Sequence, residues 1–311
     1  MDGLEITRPA VRWYGGKYRL APWIIGHFAP HRIYIEPFGG GGSVLLRKPR
    51  AYAEIYNDLD DWIVNLFKVL RDRDQAARLI ELLRLTPFAR LEFEESDQLA
   101  DDAVENARRM VIRAFMGFGS NAHASAPASR SGFRSIVRGV NHNDPRTGFR
   151  STGFRANSNR SGTTPAQDWA NYPNAVGALV ERLQGVVIEH RDAFEVMAQH
   201  DTPATLHYVD PPYLPETRSP SNRYDLKYRM YRHELTVEDH RRLLDVVRGL
   251  SGMVVLSGYP SDLYDQALKG WRRVTKRAFA DGARERTEVL WLNHAAHEGL
   301  DGGPLLARAH A

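Results

Sequence analysis

The chain has 311 residues, of which 42% are hydrophobic and 26% charged. These are globular proportions that exclude global disorder, and at roughly 150 residues per domain the length implies about two domains. Cysteine is absent, which excludes disulfide scaffolds, thiolate zinc sites, iron–sulfur clusters and every cysteine nucleophile, including the covalent route to carbon-5 of cytosine. The formal net charge is only +4, so the placement of charge matters more than its sum. No apolar run approaches the roughly 20 residues of a membrane span, and the acidic first residues carry no secretory signal, so a soluble, cytoplasmic protein is expected.

Strand and helix signals alternate at the start. Arg32–Glu36 reads as a strand, Pro37–Gly42 as a glycine-rich turn, and Ser43–Leu46 as the opening of a helix with Ser43 as its cap. Ala51–Tyr56 reads as a second strand ending at Asn57-Asp58, and Trp62, Ile63, Leu66, Phe67 and Leu70 mark one helical face. From Asp72 to Met116 the spacing predicts helices. From Gly117 to about Asn171 the pattern dissolves into Ser, Gly, Asn and Arg, a loop long enough to be functional or disordered. Alternation then returns with strands at Gly185–Glu189, Ala204–Val209 and Met253–Ser257. A helix lies over Phe194–Ala198, and a capping box at Thr236–Asp239 opens another helix. Trp271–Phe279 and Thr287–Leu292 read as a closing hairpin, followed from about Ala295 by a polar, frayed tail.

Both ends therefore read as one α/β sheet with helices on its faces, and the middle as an insertion. The expected division is a discontinuous catalytic domain, residues 1–70 and 186–311, interrupted by a recognition insert over 71–185.

A strand, a glycine turn and a helix together form a ligand-binding arrangement, because bare backbone and free N–H groups meet at the strand's carboxyl end. The spacing is neither Gly-x-Gly-x-x-Gly nor a Walker loop. Asp58 lies 18 residues after Gly40 (58 − 40), where an acid would bind ribose hydroxyls; a helix cap is the alternative. Asp210-Pro211-Pro212-Tyr213 follows an apolar strand, and its prolines force the chain out of the sheet. The corner offers a carboxylate, a proline carbonyl and an aromatic ring. Two acceptors can draw the hydrogens of a nucleobase amine and favour its attack on a methyl sulfonium. A stacked tyrosine contributes roughly 1–3 kcal/mol toward the cost of extruding the base.

With these blocks in place, the chain resembles the DNA adenine methylase (Dam-type) family. Arg12-Trp13-Tyr14-Gly15-Gly16-Lys17-Tyr18 resembles its amino-terminal cofactor motif, Glu36–Ser43 its Pro-Phe-x-Gly-x-Gly-Ser loop, and Asp210–Tyr213 its catalytic motif, in the family's alpha order. The resemblance implies a Rossmann-like, mixed seven-stranded methyltransferase sheet with an inserted, mainly helical and loop-rich DNA-recognition domain. It implies transfer of a methyl group from S-adenosylmethionine to the adenine amine in duplex DNA by base flipping, leaving S-adenosylhomocysteine. The catalytic residues would be Asp210, Pro211, Pro212 and Tyr213. The cofactor would be held by Trp13, Tyr14, Gly15, Lys17, Pro37, Phe38, Gly39, Gly40, Gly41, Gly42, Ser43, Asp58, Asp192, Ala193 and Phe194. No metal is expected, and a monomer in solution, or a dimer on DNA, is. A cytosine amine, adenine in RNA and a non-catalytic DNA-binding relative are the alternatives, and a restriction-modification or orphan setting stays open.

The segment Ser129–Arg160 holds seven arginines and one acid, a local charge of +6. Arg130, Arg134, Arg138, Arg146, Arg150 and Arg155 are the DNA-binding candidates, interleaved with three Gly-Phe-Arg repeats. A second basic cluster, including Lys269, Arg272, Arg273, Lys276, Arg277, Arg284 and Arg286, flanks the closing hairpin. There, phosphate contact and a solvated face are equally open. His294 and His297 share helical spacing without a third ligand, which leaves a metal site unsupported.

Overall fold

The computed structural model describes residues 5–117, 164–217, 231–279 and 285–300. The candidate DNA-binding arginines Arg130, Arg134, Arg138, Arg146, Arg150 and Arg155 lie outside these residues. The chain divides into two compact units, Met1–Tyr14 with Asn65–Leu183, and Gly15–Val64 with Gln184–Ala311.

The first unit is helical where described. It comprises the carboxyl-terminal part of α3 (Asp61–Arg71), then α4 (Arg73–Leu85), α5 (Arg90–Glu95), α6 (Ala103–Met116) and α7 (Pro165–Leu183). Asp72 and Asp102 cap α4 and α6 through their carboxylates. α7 buries Trp169, Tyr172, Val176, Leu179 and Leu183, an i, i+3, i+4 stripe. Trp169 donates to the Thr86 carbonyl at 2.8 Å, and Tyr172 to that of Ala10 at 2.6 Å. Arg8 meets Asp168 at 2.6 Å, so the residues before Gly15 are tied to α7. The helix corrects the expectation of a loop reaching Asn171. Thr164 receives the Gln167 N–H on its hydroxyl at 3.2 Å, and Pro165 sits in the first turn, where its missing N–H costs nothing. That cap was present in the sequence but masked by the polar composition around it.

The second unit is built on a seven-stranded sheet in the order β3-β2-β1-β4-β5-β7-β6. The strands are β1 (Ile33–Glu36), β2 (Ala53–Asn57), β3 (Val186–Glu189), β4 (Thr205–Val209), β5 (Met253–Gly258), β6 (Arg272–Phe279) and β7 (Glu285–Leu292). β1–β5 pair in parallel, while β7 runs antiparallel to both β5 and β6. β4 and β5 are buried throughout, as parallel strands covered on both faces are. One core cluster joins Val209, Leu214, Val254, Leu256 and Trp291 to Leu243, Leu244 and Val247 of α9 (Val237–Gly249) and Tyr264 of α10 (Asp262–Ala267). The capping box of α9 is present in both directions between Thr236 and Asp239.

Two expectations fail in this unit. α2 (Ser43–Arg47) is capped by Gly42 in a left-handed conformation, φ 60°, with Ser43 already inside the helix. The tail expected to fray forms α11 (His294–Leu300), whose Ala296 N–H bonds the Asn293 side chain at 2.9 Å. A Cβ on Gly299 would lie 2.7 Å from that of Ala29, so a buried glycine lets this helix pack closely.

Candidate active site

Parallel strands connected on one side must return across the sheet. The chain runs β1, β2, β3 outward and then returns to place β4 on the far side of β1, with Ile33 opposite Thr205 and Ile35 opposite His207. The order reverses between β1 and β4, and such a switch point opens a crevice at the carboxyl ends of the strands. The glycine turn and the Asp210–Tyr213 corner leave that same edge from adjacent strands.

The turn is pinned from below. Glu36 Oε2 accepts the Tyr34 hydroxyl at 3.0 Å and the Leu45 N–H at 2.9 Å, and burial raises its pKa to about 8. Gly39 donates to the Asn57 carbonyl at 2.8 Å, and Tyr56 donates to that of Gly40 at 2.7 Å. A side chain at position 39 would lie 2.2 Å from the Tyr56 ring, and Gly40 has φ 47°, so both glycines are required. Pro37 and Gly39–Ser43 are buried, and Phe38 packs against the core cluster.

Asp58 stands at the end of β2, half-buried, with Oδ2 accepting the Gly40 N–H at 2.7 Å and Oδ1 that of Asp60 at 2.8 Å. Burial is the main reason its pKa rises to about 6; the two hydrogen bonds oppose the shift and Asp60 adds to it. The cap of α3 belongs to Asp60, whose carboxylate receives the Trp62 N–H, so Asp58 is not the helix cap. Asn57, fully buried, has a clamping part that the sequence did not reveal. Its amide donates to the Pro37 and Arg191 carbonyls at 2.9 and 3.0 Å and accepts the Arg191 N–H at 2.9 Å. One side chain thus joins the loops after β1, β2 and β3. Asp192 caps α8 (Ala193–Gln199) through Oδ1, and the buried Ala193 and Phe194 begin that helix. Phe194 belongs to the core cluster.

Four elements converge at the other corner. The Lys17 ammonium lies 3.0 Å from Asp210 Oδ1, donates to the Gly15 carbonyl at 2.7 Å, and sits 4.6 Å above the Tyr213 ring. Burial alone would lower the Lys17 pKa, but Asp210 and then Glu288 outweigh it, so the amine stays charged. Ser257 of β5 donates to the same Asp210 oxygen at 2.6 Å. Tyr213 donates to Glu288 of β7 at 2.9 Å and meets Tyr259 edge-on at 4.6 Å. Burial raises the pKa of Glu288, Asp210 adds to the rise, and Lys17 opposes it. Among the described residues nothing donates to Asp210 Oδ2, so one oxygen is saturated and the other remains an acceptor.

The structure thus brings together Lys17, Asp210, Pro211 and Tyr213, with Pro212 between them. It adds Ser257, Tyr259 and Glu288, which sequence reasoning did not select as site residues. Trp13 and Tyr14 belong to the first unit. Among the described residues no group of three or more potential ligands forms a metal site.

No curated protein matches the chain. The family model of the D12 class N6 adenine-specific DNA methyltransferases matches residues 13–279, most of the chain and all of the glycine turn and the Asp210 corner. The mixed seven-stranded sheet agrees with that family. The chain therefore belongs to the D12 class of N6 adenine-specific DNA methyltransferases, enzymes that methylate adenine in DNA from S-adenosylmethionine.

Proposed function

We propose that the Asp210–Tyr213 corner holds an adenine extruded from duplex DNA, beside a methyl-donor cradle formed by Gly39–Gly42, Asp58 and Lys17. S-adenosylmethionine, when bound, supplies a methyl group on a sulfonium. The residues present fit that group. The Asp58 carboxylate suits ribose hydroxyls, the bare backbone of the turn admits close approach, and the Lys17 ammonium suits a carboxylate. Gly15, whose carbonyl accepts from Lys17, borders the methionine end. Asp192 presents its second oxygen to the adenine end, beside Ala193 and Phe194.

The observation that carries the reading is the asymmetry of Asp210. Lys17 and Ser257 fix Oδ1 and so aim Oδ2. With the Pro211 carbonyl, Oδ2 accepts the two amine hydrogens and turns the nitrogen lone pair out of the ring. The nitrogen–carbon bond forms as the sulfur–carbon bond breaks, and Oδ2 is placed to receive the departing proton. Tyr213, held by Glu288, stacks on the base. Prearranged acceptors and positioning supply the rate. The helical unit and the arginines of 130–155 read the duplex, and the enzyme works as an intracellular monomer. No helix among the described residues is long and apolar enough to cross a membrane.

Asp210→Ala is expected to lower turnover at least about 10²-fold, the loss typical of one preorganised electrostatic group. Asp210→Asn keeps the shape, loses the anion and should fall comparably, with S-adenosylmethionine binding by calorimetry retained in both. Near-normal formation of N6-methyladenine by Asp210→Asn, read by nucleoside mass analysis, overturns the assignment.

A further inference from the structure

The residues that lead into α9 return to both ends of the proposed methyl-donor cradle. Tyr231, Arg232 and His233 belong to the same unit as Gly15–Val64. A Cβ on Gly15, which has φ 70°, would lie 2.5 Å from the Tyr231 hydroxyl and 4.0 Å from the Lys17 ammonium, so these two polar ends flank one point of the backbone. One residue further on, the Arg232 guanidinium meets Asp60 at 3.4 Å and lies 5.4 Å from the ring centre of Trp62. Asp60 is buried, and its backbone N–H donates to Asp58 Oδ1. Burial raises the pKa of Asp60, and Arg232 is the main opposing influence; His233 acts in the same sense on both Asp60 and Asp58. The segment is held on its other side as well. The Tyr231 N–H donates to the Glu234 carboxylate at 3.1 Å, and the Thr236–Asp239 capping box begins α9 directly afterwards.

We infer that Tyr231 is a further cofactor-binding residue, whose hydroxyl donates to the carboxylate at the methionine end of S-adenosylmethionine, and that Arg232, anchored on Asp60 and Trp62, positions it. The proposal rests on the cradle reading given above, in which Lys17 faces that carboxylate and Asp58 the ribose. A carboxylate has two oxygens and takes several donors. The Lys17 ammonium has three hydrogens, and Asp210 and the Gly15 carbonyl draw two of them. A second donor beside Lys17 serves the other carboxylate oxygen, and the fold brings the Tyr231 hydroxyl to that point. A hydroxyl hydrogen rotates toward whichever acceptor is offered, so the ligand can claim it on arrival. Adjacent Cα atoms are about 3.8 Å apart, so fixing the Arg232 side chain restricts where Tyr231 can stand. A packing role for this segment would affect all adenosine ligands alike, whereas a contact at the amino-acid end acts only on ligands that possess one.

The test is calorimetric binding to the full chain of two ligands, S-adenosylmethionine and 5′-methylthioadenosine, which keeps the adenosine and lacks the amino-acid part. Tyr231→Phe should weaken S-adenosylmethionine about tenfold, the loss of one hydrogen bond to a charged group, and leave methylthioadenosine unchanged. Arg232→Ala should show the same selectivity, and combining it with Tyr231→Phe should weaken binding little further, because both act on one contact. Arg232→Lys keeps a cation for Asp60 and should recover most of the affinity. Arg241→Ala, which removes a surface pair with Glu238 on α9, should bind both ligands as the wild type does. Wild-type affinity in Tyr231→Phe, or equal weakening of the two ligands, overturns the assignment of Tyr231. A full additional loss in the double variant overturns the positioning role of Arg232. Asp58→Ala separates this proposal from the cradle reading, since both ligands carry the ribose. If it weakens both while Tyr231→Phe weakens neither, only the Tyr231 proposal fails; if it weakens neither, the cradle reading fails first.

Discussion

The carboxylates near the strand ends serve different ends because their surroundings differ. Asp58 titrates near pH 6 in the folded protein, raised from its ordinary value mainly by burial. Protonation removes an anionic acceptor, so affinity for S-adenosylmethionine should weaken as pH falls through about 6, and Asp58→Asn should flatten that profile; calorimetry between pH 5 and 8 reads both. Glu36 is raised to about 8 and is bonded rather than exposed. A raised carboxyl favours folding while protonated, and that contribution is lost as pH climbs from the unfolded value, about 4.5, through 8. Glu36→Gln keeps an acceptor for Tyr34 and Leu45 without the charge. It should gain at least about 1 kcal/mol relative to the wild type at pH 9, seen as a flatter pH dependence of denaturant midpoints. At the proposed catalytic corner, Tyr213→Phe and Glu288→Ala remove the same 2.9 Å bond from opposite ends. Their effects on turnover should therefore be strongly non-additive, with a coupling of about 0.5–3 kcal/mol in a double-mutant cycle. Independent effects would mean that Glu288 does not act through Tyr213.

At the scale of elements, what the chain reveals in advance depends on how local the cause is. The five parallel strands follow from β-rich, largely apolar runs bounded by turn residues, β6 and β7 from a hairpin pattern about Ala280-Asp281-Gly282, and the capping box of α9 from four consecutive side chains. The glycine turn and the Asp210–Tyr213 corner are equally local, since proline and glycine restrict or free the backbone at their own positions. Asn57, Ser257 and Glu288 were not legible in this way. Their roles arise from partners 134, 47 and 75 residues away, and each sits in an ordinary strand context. The start of α7 was missed for the opposite reason: its Thr-Pro cap is local, but a polar composition outweighed it. The turn also gives the clearest element-scale prediction. Gly39→Ala forces a methyl group into the Tyr56 ring and should cost at least about 1–3 kcal/mol of stability in equilibrium denaturation. A neutral substitution would mean the turn relaxes away from β2.

At the scale of the whole molecule, the division into two units leaves the sheet and both candidate corners within one of them, assembled from two stretches of sequence. Neither stretch holds the candidate site alone: Lys17 and Asp58 come from the first, and Asp210, Ser257 and Glu288 from the second. Strand order enforces this, because β4 can pair with β1 only after the intervening helical segment has been made. β7 carries a further consequence. It threads between β5 and β6 and is the last of the seven strands to leave the ribosome. A nascent chain therefore has Asp210 and its glycine turn long before it has the carboxylate that seats Tyr213. Under the proposed role of the Asp210 corner, a variant ending before β7 lacks the carboxylate that bonds Tyr213 and is expected to form no N6-methyladenine.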